Sequence, residues 1–244
     1  WLIEKGVRTE YNHEVVDIEF ELSDEKKVAT KIIAKDTKTG EDKSIPLSEN
    51  DLVFITTGSL VESSSYGDNE TAPNLAINTE ESFKLWKNIA RKSPEFGNPD
   101  VFTSNIDETN WESATVTVKS EEIASYIEKI TKRSPYTGKV VTGGIVTALD
   151  SPWIMSWTIN RQGQYINQPK DEIAVWVYAL FTDKEGDYIH KPMVECTGEE
   201  IAKEWLYQIG VVETDIDRLA KQTSTIPVFM PYITAQFMPR SFGD

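Results

Sequence analysis

Residues 151–169 read SPWIMSWTINRQGQYINQP, and this stretch decides how the rest of the chain is interpreted. Successive side chains of a strand point to opposite faces. One face then carries four bulky apolar side chains, Trp153, Met155, Trp157 and Ile159. The other face carries Ile154, Ser156, Thr158 and Asn160. The stretch therefore predicts a strand with one apolar face and one hydrogen-bonding face.

Two interpretations of this strand remain open. In one, the polar face and the polar run that follows it to Pro169 form the wall of a binding pocket. In the other, the stretch is a half-buried antiparallel strand whose polar face only meets water, which is the commoner situation. The chain has seven tryptophans, two of them in this stretch, and they favour a pocket without establishing one.

The composition indicates a globular chain, because 39% of its 244 residues are hydrophobic. The longest apolar run, IAVWVYALF at residues 173–181, is shorter than the roughly 20 residues that span a bilayer, so we expect no transmembrane segment or signal peptide. The single cysteine, Cys196, excludes an internal disulfide and suits a reducing cytoplasm. The net charge of -15 argues against nucleic acid as a partner, and against non-specific docking of this chain on an anionic membrane.

The first 58 residues predict a β-meander, since apolar residues alternate with charged ones in successive runs separated by turns. Residues 51–55 (DLVFI) predict a short buried parallel strand that ends at TTGS, residues 56–59. Small residues at the end of such a strand let the backbone approach a ligand. An ordinary exit from a strand into a loop has the same pattern.

Two helices are predicted in the middle of the chain from caps and apolar stripes. The first begins at Asn78 or Thr79 and carries the stripe Phe83, Trp86, Ile89 and Ala90. The second is capped by Ser120 and carries Ile123, Ile127 and Ile130.

Three consecutive long strands are predicted to pair as an antiparallel sheet: residues 139–149, the opening stretch and residues 173–181. The first of them, KVVTGGIVTAL, is interrupted by Gly143 and Gly144, which mark either a bulge or a close approach of the backbone to a neighbour. A β-branched side chain at Gly144 is therefore expected to be damaging. A short strand at residues 114–118 precedes them.

The C-terminal part predicts two more helices and a buried segment. A capping box at residues 197–200 starts a helix that stops at Gly210, and residues 215–220 form a short helix. Residues 226–240 (IPVFMPYITAQFMPR) are mostly apolar, so we expect them to be buried against the domain or a ligand.

No catalytic arrangement follows from the spacing of reactive residues. His13 and His190 are the only histidines, and no Cys/His cluster has the spacing of a metal site. No GxGxxG or Walker loop occurs, and the acidic residues form no isolated pair. Cys196 precedes a helix cap, which can stabilise a thiolate, but a buried structural thiol is the favoured interpretation. The pattern predicts a binding surface without a catalytic centre.

Several long motifs in this order resemble the oleate hydratases, the FAD-dependent fatty acid hydratases also called myosin-cross-reactive antigens. They are TTGS at 56–59, GGIVT at 143–147, SPWIMSWTINRQ at 151–162, KPMVECTGEEIAKEWLY at 191–207 and MPYITAQFMPR at 230–240. The resemblance covers essentially the whole chain. It implies an enzyme that adds water across the cis-9 double bond of oleate or linoleate to give a 10-hydroxy acid, with FAD bound but without net redox chemistry.

The resemblance also assigns roles to residues. Thr158 and Asn160 are expected to donate hydrogen bonds to the fatty acid carboxylate, with Gln164 as a third, neutral contact where family members commonly have histidine. The expected flavin contacts are Gly58, Ser59, Thr234, Ala235, Gln236 and Phe237. The glycine-rich FAD motif, the catalytic glutamate and the catalytic tyrosine of the family lie upstream of Trp1. We therefore expect a piece of a longer protein that has no hydratase activity by itself.

The implied fold class is mixed α/β (α+β), part of a two-dinucleotide-binding, Rossmann-like flavoprotein whose substrate domain combines an antiparallel sheet with helices. Residues 1–75 would complete the FAD-binding domain, residues 76–225 would form the substrate-binding domain, and residues 226–244 would return to the flavin. The resemblance further implies a cytoplasmic homodimer that acts on unsaturated fatty acids, with peripheral membrane contact through regions outside this chain.

Two other classes remain open at this point. A flavin-dependent oxidoreductase of the amine oxidase or desaturase type would share the split FAD domain, and flavin turnover with an electron acceptor would identify it. A non-enzymatic lipid-binding module would share the aromatic wall, and it would bind fatty acid without flavin.

Overall fold

The computed structural model describes residues 1–163 and 165–239, which divide into two compact units. Unit 1 contains Trp1–Ser59, Thr79–Ser104 and Pro239, and unit 2 contains Leu60–Asn78 and Asn105–Met238. Both units combine antiparallel strands with helices, which confirms the mixed α/β class. The Rossmann-like assignment and the predicted functional division of the chain stay predictions.

Unit 1 is built on a three-stranded antiparallel meander in the order β1-β2-β3, as the alternation predicted. Its strands are β1 (His13–Leu22), β2 (Lys27–Asp36) and β3 (Asp42–Pro46), and its helices are α1 (Lys84–Ala90) and α2 (Asp100–Thr103). Helix α1 is fastened to β1 by a side-chain hydrogen bond, in which Asn88 Nδ2 donates to the carbonyl of Val16 at 2.8 Å. Single turns of 3-10 helix cover Ile3–Lys5 and Pro94–Phe96.

Two predictions for unit 1 were wrong in detail. Residues 51–55 form no strand, and Leu52 and Phe54 are 84% and 93% exposed. A strand needs a partner for its backbone groups, and none of the described strands pairs with this segment. Helix α1 begins at Lys84 rather than near Asn78, because Phe83 before it takes a left-handed φ of 54° and buries its ring beside those of Trp86 and Phe102.

Unit 2 contains a six-stranded sheet in the order β4-β9-β5-β8-β7-β6, in which every neighbouring pair is antiparallel. The strands are β4 (Ser65–Tyr66), β5 (Trp111–Val118), β6 (Val146–Thr147), β7 (Ser156–Thr158), β8 (Ile173–Ala179) and β9 (Thr223–Met230). The predicted pairing of three consecutive strands is confirmed as β6-β7-β8. Two of these strands are much shorter than predicted.

The helices of unit 2 are α3 (Ile106–Thr109), α4 (Glu121–Thr131), α5 (Gly198–Gln208) and α6 (Glu213–Ala220), with 3-10 turns at Pro135–Thr137, Met193–Glu195 and Ala235–Phe237. The predicted caps are confirmed: Ser120 accepts from the amide of Ile123, and Thr197 and Glu200 form a capping box. Ile130 is 42% exposed, so the predicted stripe of α4 ends one turn early.

The opening stretch buries its apolar side as predicted, with Trp153, Met155, Trp157 and Ile159 all no more than 2% exposed. They join one core with the inward side chains of β5, β8, α4, α5 and α6. The regular strand, however, covers only Ser156–Thr158. It starts late because Ile154 takes a left-handed φ of 48° and closes a turn, in which its amide donates to Ser151 O at 2.7 Å.

Residues 139–145 are irregular, so the predicted long strand across the two glycines was wrong. This segment is held by single hydrogen bonds, such as that from the Thr142 amide to Ile159 O at 3.3 Å, instead of a ladder. Gly143 takes a left-handed φ of 71°, whereas a Cβ on Gly144 would meet nothing within 4 Å. A close approach at Gly144 is therefore absent, and Gly143 is the constrained position.

The last segment is buried against unit 2, as its apolar composition predicted. Strand β9 lies between β4 and β5, and Tyr232 and Ala235 beyond it are fully buried. Ile226 and Phe237 are exceptions, because their side chains are 50% and 75% exposed. Arg240 lies outside the described residues.

A buried carboxylate stabilises the loop that precedes α5. Glu204, on α5, is fully buried and accepts hydrogen bonds from the amides of Asp187, Tyr188 and Ile189 at 2.9–3.0 Å. Gly186 makes room for it, since a Cβ there would lie 2.7 Å from Glu204 Oε2. These hydrogen bonds replace the hydrogen bonds to water that the carboxylate loses when it is buried on folding.

We expect Glu204→Gln to lower the free energy of unfolding by about 1 to 3 kcal/mol, because an amide NH2 would face backbone donors and leave one of them unpaired. Urea unfolding of the purified variant measures this. Glu128→Gln, at an exposed helical position, is the matched control and should change stability little. Equal effects of the two substitutions would contradict the role of Glu204.

We expect Gly143→Val to be more destabilising than Gly144→Val, which reverses the expectation from the sequence. A β-branched side chain at a left-handed φ costs about 1 to 2 kcal/mol, and the new Cβ would lie 3.2 Å from Arg133 Nη1. The comparison is made by melting temperature. A larger fall in melting temperature for Gly144→Val than for Gly143→Val would contradict this expectation.

Candidate functional site

The polar face of β7 lies on the side of the sheet that the helices leave uncovered. The inward side chains of β5 and β8, such as Val116 and Val175, belong to the core under α4, α5 and α6. The alternate side chains face the other way, and the register places Thr115, Trp176 and Thr158 side by side on three adjacent strands. This row forms the floor of the candidate site.

Two clefts open over this floor. The smaller, of about 200 Å³, is lined by Thr115, Thr158, Asn160, Tyr165, Ala174, Val175 and Trp176. The larger, of about 680 Å³, continues from it over Thr117 and the segment of residues 165–169. The two clefts share Thr115, Tyr165 and Ala174, so they lie side by side and are together called the groove. The volume of the larger cleft falls in the range of small-molecule sites, whereas the smaller cleft alone is below that range.

Thr158 and Asn160 line the same cleft, as their common face predicted. The Thr158 hydroxyl lies 3.0 Å from Thr142 Oγ1 and donates to Gly144 O at 3.1 Å. The side-chain amide of Asn160 is exposed and has no hydrogen-bond partner within residues 1–163 and 165–239. Asn160 therefore offers two free donors, and Thr158 offers one that must leave Gly144. Gln164 lies outside the described residues.

The smaller cleft has no charged side chain among its described lining residues. At the larger cleft the one charged lining residue described is Glu172, which is paired with Lys119 at 3.3 Å. An anion bound here would therefore be held by neutral donors. Such a site also accepts neutral carbonyl compounds, so the preference for an anion depends on how well the donors are placed.

Sequence reasoning missed Trp176, which lines the smaller cleft, and Thr142, which contacts the cleft residue Thr158. Trp176 lies in the apolar run of residues 173–181, but its place in the alternation puts it on the open face. There its ring is tilted against that of Tyr178, with ring centroids 4.7 Å apart. The alternation of that run contained this signal. Thr142, which contacts Thr158 across a long loop, left no signal in the sequence.

The residues predicted as flavin contacts fall in both units. Gly58 and Ser59 belong to unit 1, where residues 56–59 have no regular structure. In unit 2, Ala235–Phe237 form a single 3-10 turn, and Thr234 before it donates its amide to Thr109 O at 3.1 Å. Ala235 is buried, whereas Gln236 and Phe237 are exposed.

The thiol of Cys196 and the carboxyl of Glu112 are buried, and burial raises the pKa of each. Cys196 is fully buried, as the structural interpretation predicted, and burial together with the charge of Glu200 raises the pKa of its thiol. Glu112 on β5 is also fully buried, and desolvation raises the pKa of its carboxyl well above the usual range. The raised pKa of the Cys196 thiol argues against a thiolate nucleophile at neutral pH.

Across the described ranges, no group of three or more His, Cys, Asp or Glu side chains is arranged to hold a metal ion. No helix in the same ranges is long and apolar enough to cross a membrane.

Comparisons with known proteins agree with the motifs. The family model described as "MCRA family" matches residues 1–244. An oleate hydratase of Streptococcus pyogenes serotype M49 (strain NZ131) is 44% identical over 247 residues, which is 100% of this chain and 42% of the relative. A linoleate hydratase of Lactiplantibacillus plantarum is 28% identical over 228 residues, which is 88% of this chain and 40% of the relative.

The chain thus spans about two fifths of the length of these curated relatives. The match to the family model is complete along the chain, and the resemblance of its motifs to oleate hydratases is confirmed. The chain belongs to the MCRA family.

Proposed function

We propose that this chain is the part of a fatty acid hydratase that holds the carboxylate end of the substrate. The whole enzyme would add water to the cis-9 double bond of oleate or linoleate and yield a 10-hydroxy acid. The hydratase names of both relatives support this activity. The observation that carries the proposal is the common cleft of Thr158 and Asn160, with polar donors at one end and an apolar groove beyond.

The carboxylate would accept hydrogen bonds from Asn160 Nδ2 and Thr158 Oγ1. The Asn160 amide needs no rearrangement, because it has no partner among the described residues. The Thr158 hydroxyl would turn from Gly144 O and could still accept from Thr142 Oγ1. Each hydrogen bond to the charged group would stabilise the complex by roughly 1.5 to 3 kcal/mol.

The acyl chain would lie along the groove from Trp176 toward residues 165–169. Ile166 lines the larger cleft and its side chain is fully exposed, so hydrocarbon in the groove would cover it. Covering such a side chain with hydrocarbon contributes about 25 cal/mol per Å² of apolar surface removed from water.

Hydration adds a proton to one carbon of the double bond and a hydroxyl to the other, so no electrons leave the substrate. The residues of this groove would not perform that step. They would fix the distance between carboxylate and double bond, which sets the position of the alkene against catalytic groups elsewhere in the enzyme. The catalytic acid and tyrosine are assigned outside this chain by the family resemblance.

FAD is the cofactor that the resemblance implies, and the described residues fit contacts to its ring better than to its pyrophosphate. Residues 56–59 carry only small side chains, and Phe237 exposes a flat ring beside Gln236. The sequence offers no glycine-rich loop for phosphates. The flavin contacts that the resemblance assigns to Gly58, Ser59, Thr234, Ala235, Gln236 and Phe237 remain proposals. When bound, FAD would supply a polar ring system without net electron transfer.

The predicted homodimer, cytoplasmic location and peripheral membrane contact follow from the family resemblance and remain proposals. No feature of the residues that the structure describes favours an oxidoreductase or a non-enzymatic lipid-binding module. Flavin reduction by substrate would support the first of these alternatives, and fatty acid binding without flavin would support the second.

We expect Thr158→Val with Asn160→Leu, in the full-length enzyme, to erase most of the preference for oleate over its methyl ester. Losing both donors should cost about 3 to 6 kcal/mol if they act independently, and less if water replaces them. Turnover should fall with affinity, since a chain held only by its tail can slide in the groove. Steady-state kinetics on the free acid and the ester measure both effects.

The matched control is Thr214→Val with Asn50→Leu, two exposed positions that line neither cleft. It should keep the preference of the wild type. An unchanged preference in the cleft variant, with folding and flavin content intact, would mean that the carboxylate is held elsewhere.

A further inference from the structure

The segment that connects β7 to β8 is held by two glutamines. Among the described residues of 161–170, Gln162 and Gln168 are half-buried and all others are exposed. Glutamine has one acceptor oxygen and two donor protons in its amide, so it can pair with both the N–H and the C=O of a backbone. The contacts of these two side chains use that capacity fully.

The amide of Gln162 occupies a place in the sheet that a backbone would normally fill. Its Oε1 accepts from the Ala174 amide at 2.8 Å, and its Nε2 donates to Ala174 O at 3.3 Å. The register pairs Thr158 with Trp176, so a continued ladder would bring Asn160 opposite Ala174. The side chain of Gln162 therefore replaces the backbone of Asn160 at this position.

The side-chain amide of Gln168 holds the Gln162 amide in this position. Its Nε2 donates to Gln162 Oε1 at 2.8 Å and to Glu172 O at 3.0 Å, while its Oε1 accepts from the Gly163 amide at 3.2 Å. Backbone groups set which end of each amide is oxygen, because an N–H can only donate and a carbonyl can only accept. The pair thus has one consistent orientation.

Gln162 also positions the backbone of Asn160. Gln162 Nε2 also donates to Asn160 O at 3.0 Å, which holds the Asn160 backbone out of the ladder that ends at Thr158. The side-chain amide of Asn160 is then left without a partner and lines the cleft with Thr158 and Tyr165. A regular strand would have placed the Asn160 backbone against Ala174.

We propose that the Gln162–Gln168 amide pair is a positioning element of the carboxylate site, which ends the β7 ladder at Thr158 and sets Asn160 in the cleft. This inference rests on the proposed function, because the ligand that Asn160 would hold is the fatty acid carboxylate. Gln162 lines neither cleft, whereas Gln168 lines the larger one, beside the proposed path of the acyl chain. Both glutamines would position the carboxylate site through Asn160 and through the segment that carries Tyr165.

The sharpest test is the isosteric substitution Gln162→Glu in the full-length protein. A carboxylate could still accept from Ala174 and Gln168, but it would lose both donors and face two carbonyl oxygens. We expect the preference for oleate over its methyl ester to fall by a factor on the order of 10 to 100, as for a small misplacement in a site. Lys170→Gln, an exposed position in the same segment, makes the same change in charge and should leave the preference unchanged.

The pH dependence separates positioning from loss of folding. Two facing carbonyls favour the protonated form of the introduced carboxyl, which raises its pKa and restores one donor. The preference of Gln162→Glu, divided by that of the wild type at each pH, should therefore recover as the pH falls. The control variant should give a flat ratio.

Gln168→Glu keeps the contact of Gln162 with Ala174 and removes two supporting donors, so it provides the test if Gln162→Glu does not fold. We expect it to lower the preference for the free acid less than Gln162→Glu does. A folded variant with a lower melting temperature but an unchanged preference would overturn this inference and leave the proposed function standing. A wild-type protein that does not hydrate oleate would overturn both.

Discussion

Burial of the apolar side of residues 153–159 is the constraint on which the candidate site depends. Trp157 packs edge-on against Trp205 of α5, with ring centroids 6.2 Å apart, and its neighbours on the same face are fully buried. Each such side chain contributes roughly 1.5 to 3 kcal/mol when it leaves water. A shift of one residue would expose all of them, so the register is strongly fixed. Thr158 must then face the open side of the sheet.

The proposed anionic ligand would bind to a chain that is itself strongly acidic. The net charge of -15 repels a carboxylate over long range, yet no charged residue lines the described part of the smaller cleft. Neutral donors avoid the cost of burying an unpaired cation when the site is empty. Neutral donors attract a carboxylate less strongly than an arginine does, so binding depends on where the donors lie. The sheet fixes the positions of these donors.

The sequence predicted those parts of the fold that follow from local rules. Alternation identified the meander and the two faces of β7, and caps located α4 and α5. Prediction from the sequence failed where contacts between residues far apart in the chain determine the local structure. Residues 51–55 carry a strand pattern but find no partner among the described strands, and the connection after Thr158 leaves the ladder because Gln162 takes the place of the backbone. Thr158 and Asn160 were predictable from their shared face, whereas Thr142 and the glutamine pair required the tertiary structure.

A crystal structure of the full-length protein with bound oleate would show directly which residues hold the carboxylate. We expect the carboxylate oxygens to lie about 2.7 to 3.2 Å from Asn160 Nδ2 and Thr158 Oγ1, with the acyl chain in the groove that runs past Trp176. A carboxylate bound at another place, with Asn160 in contact only with water, would contradict it.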